Sequence, residues 1–280
     1  MTQSQANRDL KLAFIGGGNM ASAIIAGLID GGHKPTTINV SDPSVEQLTR
    51  LQQQFGVLTS TDNLQAVADA DVVVLAVKPQ VLAQVATDLA AALQPEALVI
   101  SIAAGIDCRS LSAWLGQGTA IVRCMPNTPA LVNLGASGLY ANPQTTAAQK
   151  VQAEAILAAV GIVVWLTDED QLHAVTAVSG SGPAYFFLFM EAMIEVGVAQ
   201  GLAPDLARSL TLQTALGAST LASNSEEGPD VLRQRVTSPN GTTEQAILSF
   251  ERDDTRAVVK RAMAACAQRS VTLSEELGAK

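Results

Sequence analysis

The chain has 280 residues, a formal net charge of -9, 48% hydrophobic residues and only 15% charged ones. That balance excludes a disordered chain, and a pI near 4.7 excludes nucleic-acid binding through a basic surface. The length suits two packed domains, or one large α/β domain with an appendage. Aromatics are 4% and much of the apolar content is alanine, which predicts closely packed helices with part of their surface buried between subunits. Cys108, Cys124 and Cys266 are scattered, with neither a disulfide framework nor metal-ligand spacing, so no metal site is expected and a reducing cytoplasm is. The first ten residues carry no apolar signal region, and no run of about 18 apolar residues is found, so no membrane segment is expected. Residues 183–203 come nearest; Glu191 and Glu195 interrupt them, and they read as a buried core helix.

In chain order, Leu12 to Ile15 is a short strand ending at Gly16, Gly17 and Gly18. A helix from about Asn19 to Ile29 follows, closed by Gly31 and Gly32. Thr37 to Val40 is a second strand, stopped at Asp42 and Pro43, and a polar helix runs from Ser44 to Gln54. Val72 to Val77 shows no polar alternation, as expected of a parallel strand covered on both faces. Leu98 to Ala103 and Ala120 to Met125 repeat the pattern, with helices at 80–93 and 107–115. Further strands at 136–141 and 162–166 bracket a helix at 145–159. The alternation predicts an α/β, Rossmann-type doubly wound, mostly parallel sheet over 1–167. From about 168 to 280 the period changes to helices, at about 169–178, 184–200, 204–223, 229–235, 243–251 and 254–277. Thr167 or Asp168 is the expected cap of the first, Pro183 suits a first turn, and Gly201 and Pro204 separate the next pair. The second domain is therefore expected to be all-helical.

Gly16-x-Gly18-x-x-Ala21 sits at the first strand-to-helix turn. The first glycine allows a sharp turn and the second lets a pyrophosphate approach the backbone. The small third residue lets helix and strand pack, and the helix start offers free N–H groups. A purely structural turn is the alternative. Asp42, at the end of the second strand, is placed to accept from a ribose 2′-hydroxyl and to repel a 2′-phosphate; it also fits a plain turn or helix-cap residue. Ser41 and Ser44 flank it as donors. The cofactor stays open between NADH and NADPH.

An alcohol dehydrogenase needs a base for the hydroxyl proton. This chain has two histidines, His33 in a turn away from the expected site and His173 at the start of the helical part; beyond Lys150 its lysines are Lys260 and Lys280. A protonated C=N group accepts hydride without such a base, so the shortage favours an imine reductase, with His173 or a carboxylate as the rival base. The loop Ser238-Pro-Asn-Gly-Thr-Thr243 opens a helix whose free N–H groups, with the Ser238 and Thr243 hydroxyls, suit a small carboxylate; a ligand-free capped turn is the alternative. A second turn, Ser179 to Pro183, is either an interdomain bend or a ligand contact.

Six stretches, in order, carry a resemblance. They are Phe14 to Met20 (FIGGGNM), Ala76 to Pro79 (AVKP), Ser101 to Gly105 (SIAAG), Arg123 to Pro129 (RCMPNTP), Ser179 to Tyr185 (SGSGPAY) and Val236 to Thr243 (VTSPNGTT). With them the chain resembles the pyrroline-5-carboxylate reductase family over essentially its whole length. The resemblance implies hydride transfer from NADPH or NADH to C5 of 1-pyrroline-5-carboxylate, giving L-proline. It implies substrate contacts at Ser238, Gly241, Thr242 and Thr243, with Thr243 near the ring nitrogen and Glu226 reaching the amine through water. It implies cofactor contacts at Gly16, Gly18, Asn19, Met20 and Asn63, beside Ser41 and Asp42, which the end of the second strand already offers. Ala76, Val77, Lys78, Pro79, Ala103 and Gly105 fall on the nicotinamide side. It further implies a cytoplasmic homodimer with swapped helical domains, and a ring of five such dimers. Asn240 stands where the family usually has glycine, Arg233-Gln-Arg235 replaces a lysine–aspartate pair, and Asp42 departs from NADP-preferring relatives. Two rivals remain: a hydroxy acid dehydrogenase, and a protein that binds the dinucleotide without turnover.

Overall fold

The structure is a computed structural model that describes residues 9–278. Its strands are β1 (Leu12–Ile15), β2 (Ile38–Ser41), β3 (Leu58–Ser60), β4 (Val72–Leu75), β5 (Leu98–Ser101), β6 (Ala120–Met125), β7 (Gly135–Ala141) and β8 (Gly161–Trp165). They form one sheet in the order β3-β2-β1-β4-β5-β6-β7-β8. Six strands run parallel; β7 pairs antiparallel with β6, and β8 follows β7 in parallel. The chain reverses at β7 through a 3-10 turn, Thr128–Val132, that ends at Asn133 with φ 59. Asn127 fixes the reversal by accepting from the Ala136 N–H at 2.8 Å.

The helices on this sheet are α1 (Asn19–Asp30), α2 (Val45–Phe55), α3 (Asn63–Val67), α4 (Pro79–Leu89), α5 (Cys108–Leu115) and α6 (Ala147–Ala158). All four residues of β1, β4 and β5 are buried. Successive side chains face opposite ways, so Leu12 and Phe14 enter a core with α1, α2 and α6, while Ala13 and Ile15 enter a second core with α3, α4 and α5. Burial on both faces is why these strands read as unbroken apolar runs. The sheet is thus doubly wound, as expected. Two elements were not expected: β3, whose residues are only Leu58, Thr59 and Ser60, and α3, which Asp62 caps through the Leu64 N–H at 2.8 Å.

The remaining helices are α7 (Gln171–Val175), α8 (Gly182–Ala199), α9 (Pro204–Ser223), α10 (Pro229–Arg235), α11 (Thr242–Arg252) and α12 (Thr255–Gly278), with a π-helical turn at Thr176–Gly180. Neither Thr167 nor Asp168 caps α7. Asp168 instead accepts from the Asp170 N–H at 3.0 Å, and the helix starts two residues later, at Gln171. The change of period falls where the sequence puts it, but the compact units divide later. One runs to Ser181 and resumes at Cys266; the other is Gly182–Ala265. The reason lies in residues 169–181, which are tied to the sheet. Glu169 bonds to Arg123, Leu172 is buried, Val175 packs on Gly138, and Asn127 donates to the Ser179 carbonyl at 3.0 Å.

The helical run Gln171–Ala199 corrects two expectations. By length and composition it is apolar enough to cross a membrane, with a mean hydropathy of 1.3 over its most apolar stretch, of which 6% is buried. It is therefore of spanning length, and α8 is not a buried core helix. Phe186, Phe187, Leu188 and Phe189 are each more than half exposed. Glutamates at 191 and 195 break the apolar composition, but they do not supply a cover for these four side chains. Within the second unit α8 and α9 pack through small residues, Gly197 lying against the Ala207 methyl.

Candidate active site

The C-terminal ends of the parallel strands lie along one edge of the sheet, where an open α/β sheet binds its ligands. Gly16 follows β1 with φ 100, and its N–H donates to the Ser41 carbonyl at 2.7 Å. A Cβ there would lie 2.7 Å from the Ala76 carbonyl oxygen, so no larger residue fits. A Cβ on Gly18 would meet nothing within 4 Å. Gly18 is also the N-cap of α1, with no side chain bonded across it. The helix start, with Asn19 and Met20 in its first turn, is open to an anion.

Asp42 braces this turn. Its Oδ2 accepts from the Gly17 N–H at 2.8 Å and its Oδ1 from the Ser44 N–H at 2.9 Å. The Gln47 amide donates to the Gly17 carbonyl. Asp42 is a turn residue and not a helix cap, because Ser44 caps α2 through the Gln47 N–H. Ser41 is buried and donates to Asn63 Oδ1 at 2.6 Å, which brings the two together at the end of β2. Ala76 and Val77 follow β4, with the Ala76 N–H on the Ile15 carbonyl; Lys78 and Pro79 open α4. The cofactor-side residues expected from the sequence therefore share one edge.

The turn after β5 holds Ala103 and Gly105. Gly105 has φ 74, and a Cβ there would lie 2.9 Å from Leu273 of α12. Asp107 then caps α5 through the Ser110 N–H at 2.7 Å. Burial pulls the Asp107 carboxyl up, but the hydrogen bonds from Ser110, with Arg109 and Arg123 nearby, outweigh it and leave the group below its ordinary range. Burial, and then the charge of Glu169, push the Cys108 thiol far up. Burial raises the Cys124 thiol to about 12. Both are inert at neutral pH. His173 lines a small cavity with Ala103, Gly105, Arg123 and Met125, and its Nδ1 is 2.9 Å from Ser270 Oγ. His33 is buried elsewhere, its Nε2 on the Leu10 carbonyl and Thr37.

The second unit carries the Ser238–Thr243 loop. The Gly241 N–H closes a turn on the Ser238 carbonyl at 3.0 Å, and Asn240 takes φ 58, which asparagine tolerates better than most residues. Glu244 reaches back to the Asn240 N–H at 2.8 Å. Gly241 is the N-cap of α11 and no side chain bonds across it, so Thr242 and Thr243 begin a helix with open N–H groups. Ser238, Gly241, Thr242 and Thr243 are thus on one turn. Glu226 is exposed on the preceding connection; its neighbour Glu227 pairs with Arg235 at 2.5 Å. Sequence reasoning gave no role to Arg123, Asn127, Gln47 or Glu169. A signal existed for one of them, since an arginine inside the apolar run Ala120–Met125 requires an acid partner.

Residues 169–273 match the family model for pyrroline-5-carboxylate reductase dimerisation, and residues 11–105 match that for NADP oxidoreductase, coenzyme F420-dependent. A pyrroline-5-carboxylate reductase of Pseudomonas aeruginosa is 57% identical over 268 residues, covering 96% of this chain and 98% of that protein. The chain belongs to the pyrroline-5-carboxylate reductase family. The Vibrio alginolyticus member is 45% identical, covering 93% of this chain and 96% of its own. Among solved structures, the Coxiella burnetii pyrroline-5-carboxylate reductase superposes with a TM-score of 0.91 at 45% identity, covering 95% of this chain and 99% of that one. The Plasmodium falciparum pyrroline carboxylate reductase, solved with NADP bound, gives 0.85 at 29% identity over the same shares. The chain is accordingly an NAD(P)H-dependent oxidoreductase with a dimerisation domain. A dinucleotide fits the residues present. The space over Gly18 is open and the α1 N-terminus uncapped, while the alternative of a filled structural turn would place side chains there.

Proposed function

We propose that this chain reduces 1-pyrroline-5-carboxylate to L-proline, the last step of proline formation, with Thr243, Ser238 and the α11 N-terminus as its substrate site. The observation that carries the reading is the pairing of an open dinucleotide turn with a cation-free anion turn on a chain of this family. When bound, the reduced nicotinamide supplies the hydride. Gly16, Gly18, Asn19 and Met20 hold the pyrophosphate, and Ser41, Asp42 and Asn63 hold the adenosine ribose. Ala76, Val77, Lys78, Pro79, Ala103 and Gly105 line the nicotinamide side. The N–H groups of Gly241, Thr242 and Thr243, with the Ser238 hydroxyl, hold the substrate carboxylate and fix C5.

The ring nitrogen enters already protonated. When hydride reaches C5, the C=N π pair moves to nitrogen, and the product is a neutral secondary amine that takes up a proton from solvent. No side chain has to remove a proton, in keeping with two histidines of which one is buried far from this edge. Thr243 hydrogen-bonds near the nitrogen, and Glu226 reaches it through water. The enzyme works in the cytoplasm as a homodimer that exchanges helical domains, and five dimers form a ring. Loss of 340 nm absorbance on adding pyrroline-5-carboxylate to enzyme and NADH or NADPH tests the activity. Binding of reduced cofactor without such loss, or turnover only with hydroxy acids, would refute it. Sedimentation distinguishes dimer from decamer.

A further inference from the structure

Arg123 is 7% exposed in the middle of the sheet, and its Nη1 donates to Glu169 Oε1 at 2.7 Å. The same oxygen accepts from the Cys108 N–H at 2.6 Å. Cys108 is the first residue of α5 and directly follows the turn 102–107. That turn is anchored at its start by the Ile102 N–H on the Leu75 carbonyl at 3.1 Å, and at Gly105 by Leu273. Its far end rests on Asp107, which caps α5, and on the Glu169–Cys108 bond. Glu169 is remote in sequence from both partners, and lies before α7 on a segment that has left the sheet. A carboxylate whose single oxygen takes an arginine and a backbone N–H is aimed as well as charged, because the guanidinium fixes its position.

We propose that Glu169, held by Arg123, is a positioning residue that sets the turn 102–107 against the nicotinamide ring. It acts through the Cys108 N–H and touches neither cofactor nor substrate. The inference rests on the proposed placement of Ala103 and Gly105 on the nicotinamide side. Its consequence is selective: on the same placement the pyrophosphate lies at the Gly16–Gly18 turn and the adenosine ribose at Ser41, Asp42 and Asn63, and the bonds of Glu169 go to Arg123 and Cys108 instead.

The test compares two ligands, NADH and ADP-ribose, which lacks the nicotinamide ring, by calorimetric titration of wild type and Glu169→Gln. Glutamine keeps an acceptor for Cys108 but withdraws the charge that holds Arg123. NADH affinity is expected to fall about tenfold, as for one charge-assisted hydrogen bond, with ADP-ribose unchanged to within about twofold. The kcat should fall with it, because orientation at the reacting carbon is what the turn supplies. Equal weakening of both ligands, or unchanged NADH affinity, overturns the proposal. Because removing one partner of a buried pair can unfold a chain, Glu169→Asp, which keeps the charge and draws it back by one methylene, undergoes the same titrations with the same expected split. Should wild type fail to reduce pyrroline-5-carboxylate while the two ligands still separate, the substrate reading falls and this one stands.

Discussion

Asp42→Ser is expected to turn the enzyme toward NADPH. Asp42 is half-buried at the end of β2, with one oxygen on the Gly17 N–H and the other on the Ser44 N–H, so its charge is held at the dinucleotide turn. Two unit charges 4 Å apart repel by about 1 kcal/mol in water and about 4 at an effective dielectric near 20. A 2′-phosphate next to a half-buried carboxylate falls between these limits. Removing the carboxylate should therefore strengthen NADPH by about 1.4–2.8 kcal/mol, roughly ten- to a hundredfold. NADH loses a charged acceptor for its ribose hydroxyl, and the glycine turn loses its brace, so NADH affinity should fall about tenfold. The NADPH-to-NADH ratio of Kd values, read by nicotinamide fluorescence, should move about a hundredfold or more, and kcat/KM at 340 nm should follow. Salt supplies an independent signature: for wild type, raising ionic strength from about 0.05 to 0.5 M should narrow the gap between the cofactors, since the repulsion is screened. A ratio unchanged by the substitution would make Asp42 a brace of the turn and nothing more.

Three other substitutions follow from the same geometry. Thr243→Ala should lower kcat/KM for pyrroline-5-carboxylate by about one to two orders of magnitude, as for one lost oriented donor, with NADH affinity unchanged; a wild-type rate removes Thr243 from the mechanism. His173→Ala should keep the rate within about threefold of wild type across pH 6–8, because no protein base is required. A loss of two orders with a shifted pH profile would reinstate a histidine base. Asp107→Ala should cost about 1 kcal/mol in urea denaturation at neutral pH, the usual value of a helix N-cap. The Asp107 pKa in the folded chain is below its ordinary 3.8, so its stabilisation is complete above that value and is lost as pH falls through the lowered one. The gap between wild type and variant should close in acid, and a gap independent of pH would deny the carboxylate its role.

What the sequence revealed and what it hid divide along physical lines. Strands buried on both faces announce themselves by composition, so β1, β4, β5 and β6 were legible, and the glycine turn was legible because its place between strand and helix is local. The strand β3 was not, since Leu58, Thr59 and Ser60 lie at the edge with little burial to shape them. The reversal at β7 was not, because hydrophobic period carries no strand direction. The clamp of Glu169 on Arg123 spans 46 residues, and no spacing rule joins them. The Ser238–Thr243 loop was legible as a turn, but its openness depends on no side chain capping α11 at Gly241, a matter of three-dimensional placement that no local pattern encodes.

The misread helix α8 is the most informative departure. Apolar composition all round its circumference satisfies equally a core helix, a membrane helix and a subunit interface, and composition alone does not separate them. The exposure of Phe186, Phe187, Leu188 and Phe189 excludes the first within the single chain. The match of 169–273 to a dimerisation family favours the third over the second. The low charge of the chain then has a single physical origin. A subunit that must cover a helix of this kind with another subunit has less free surface to charge. On the proposed reading the α11 N-terminus would hold a carboxylate without a net charge, because the N–H groups of a helix start are fixed dipoles whose field is local, even on a protein of charge -9.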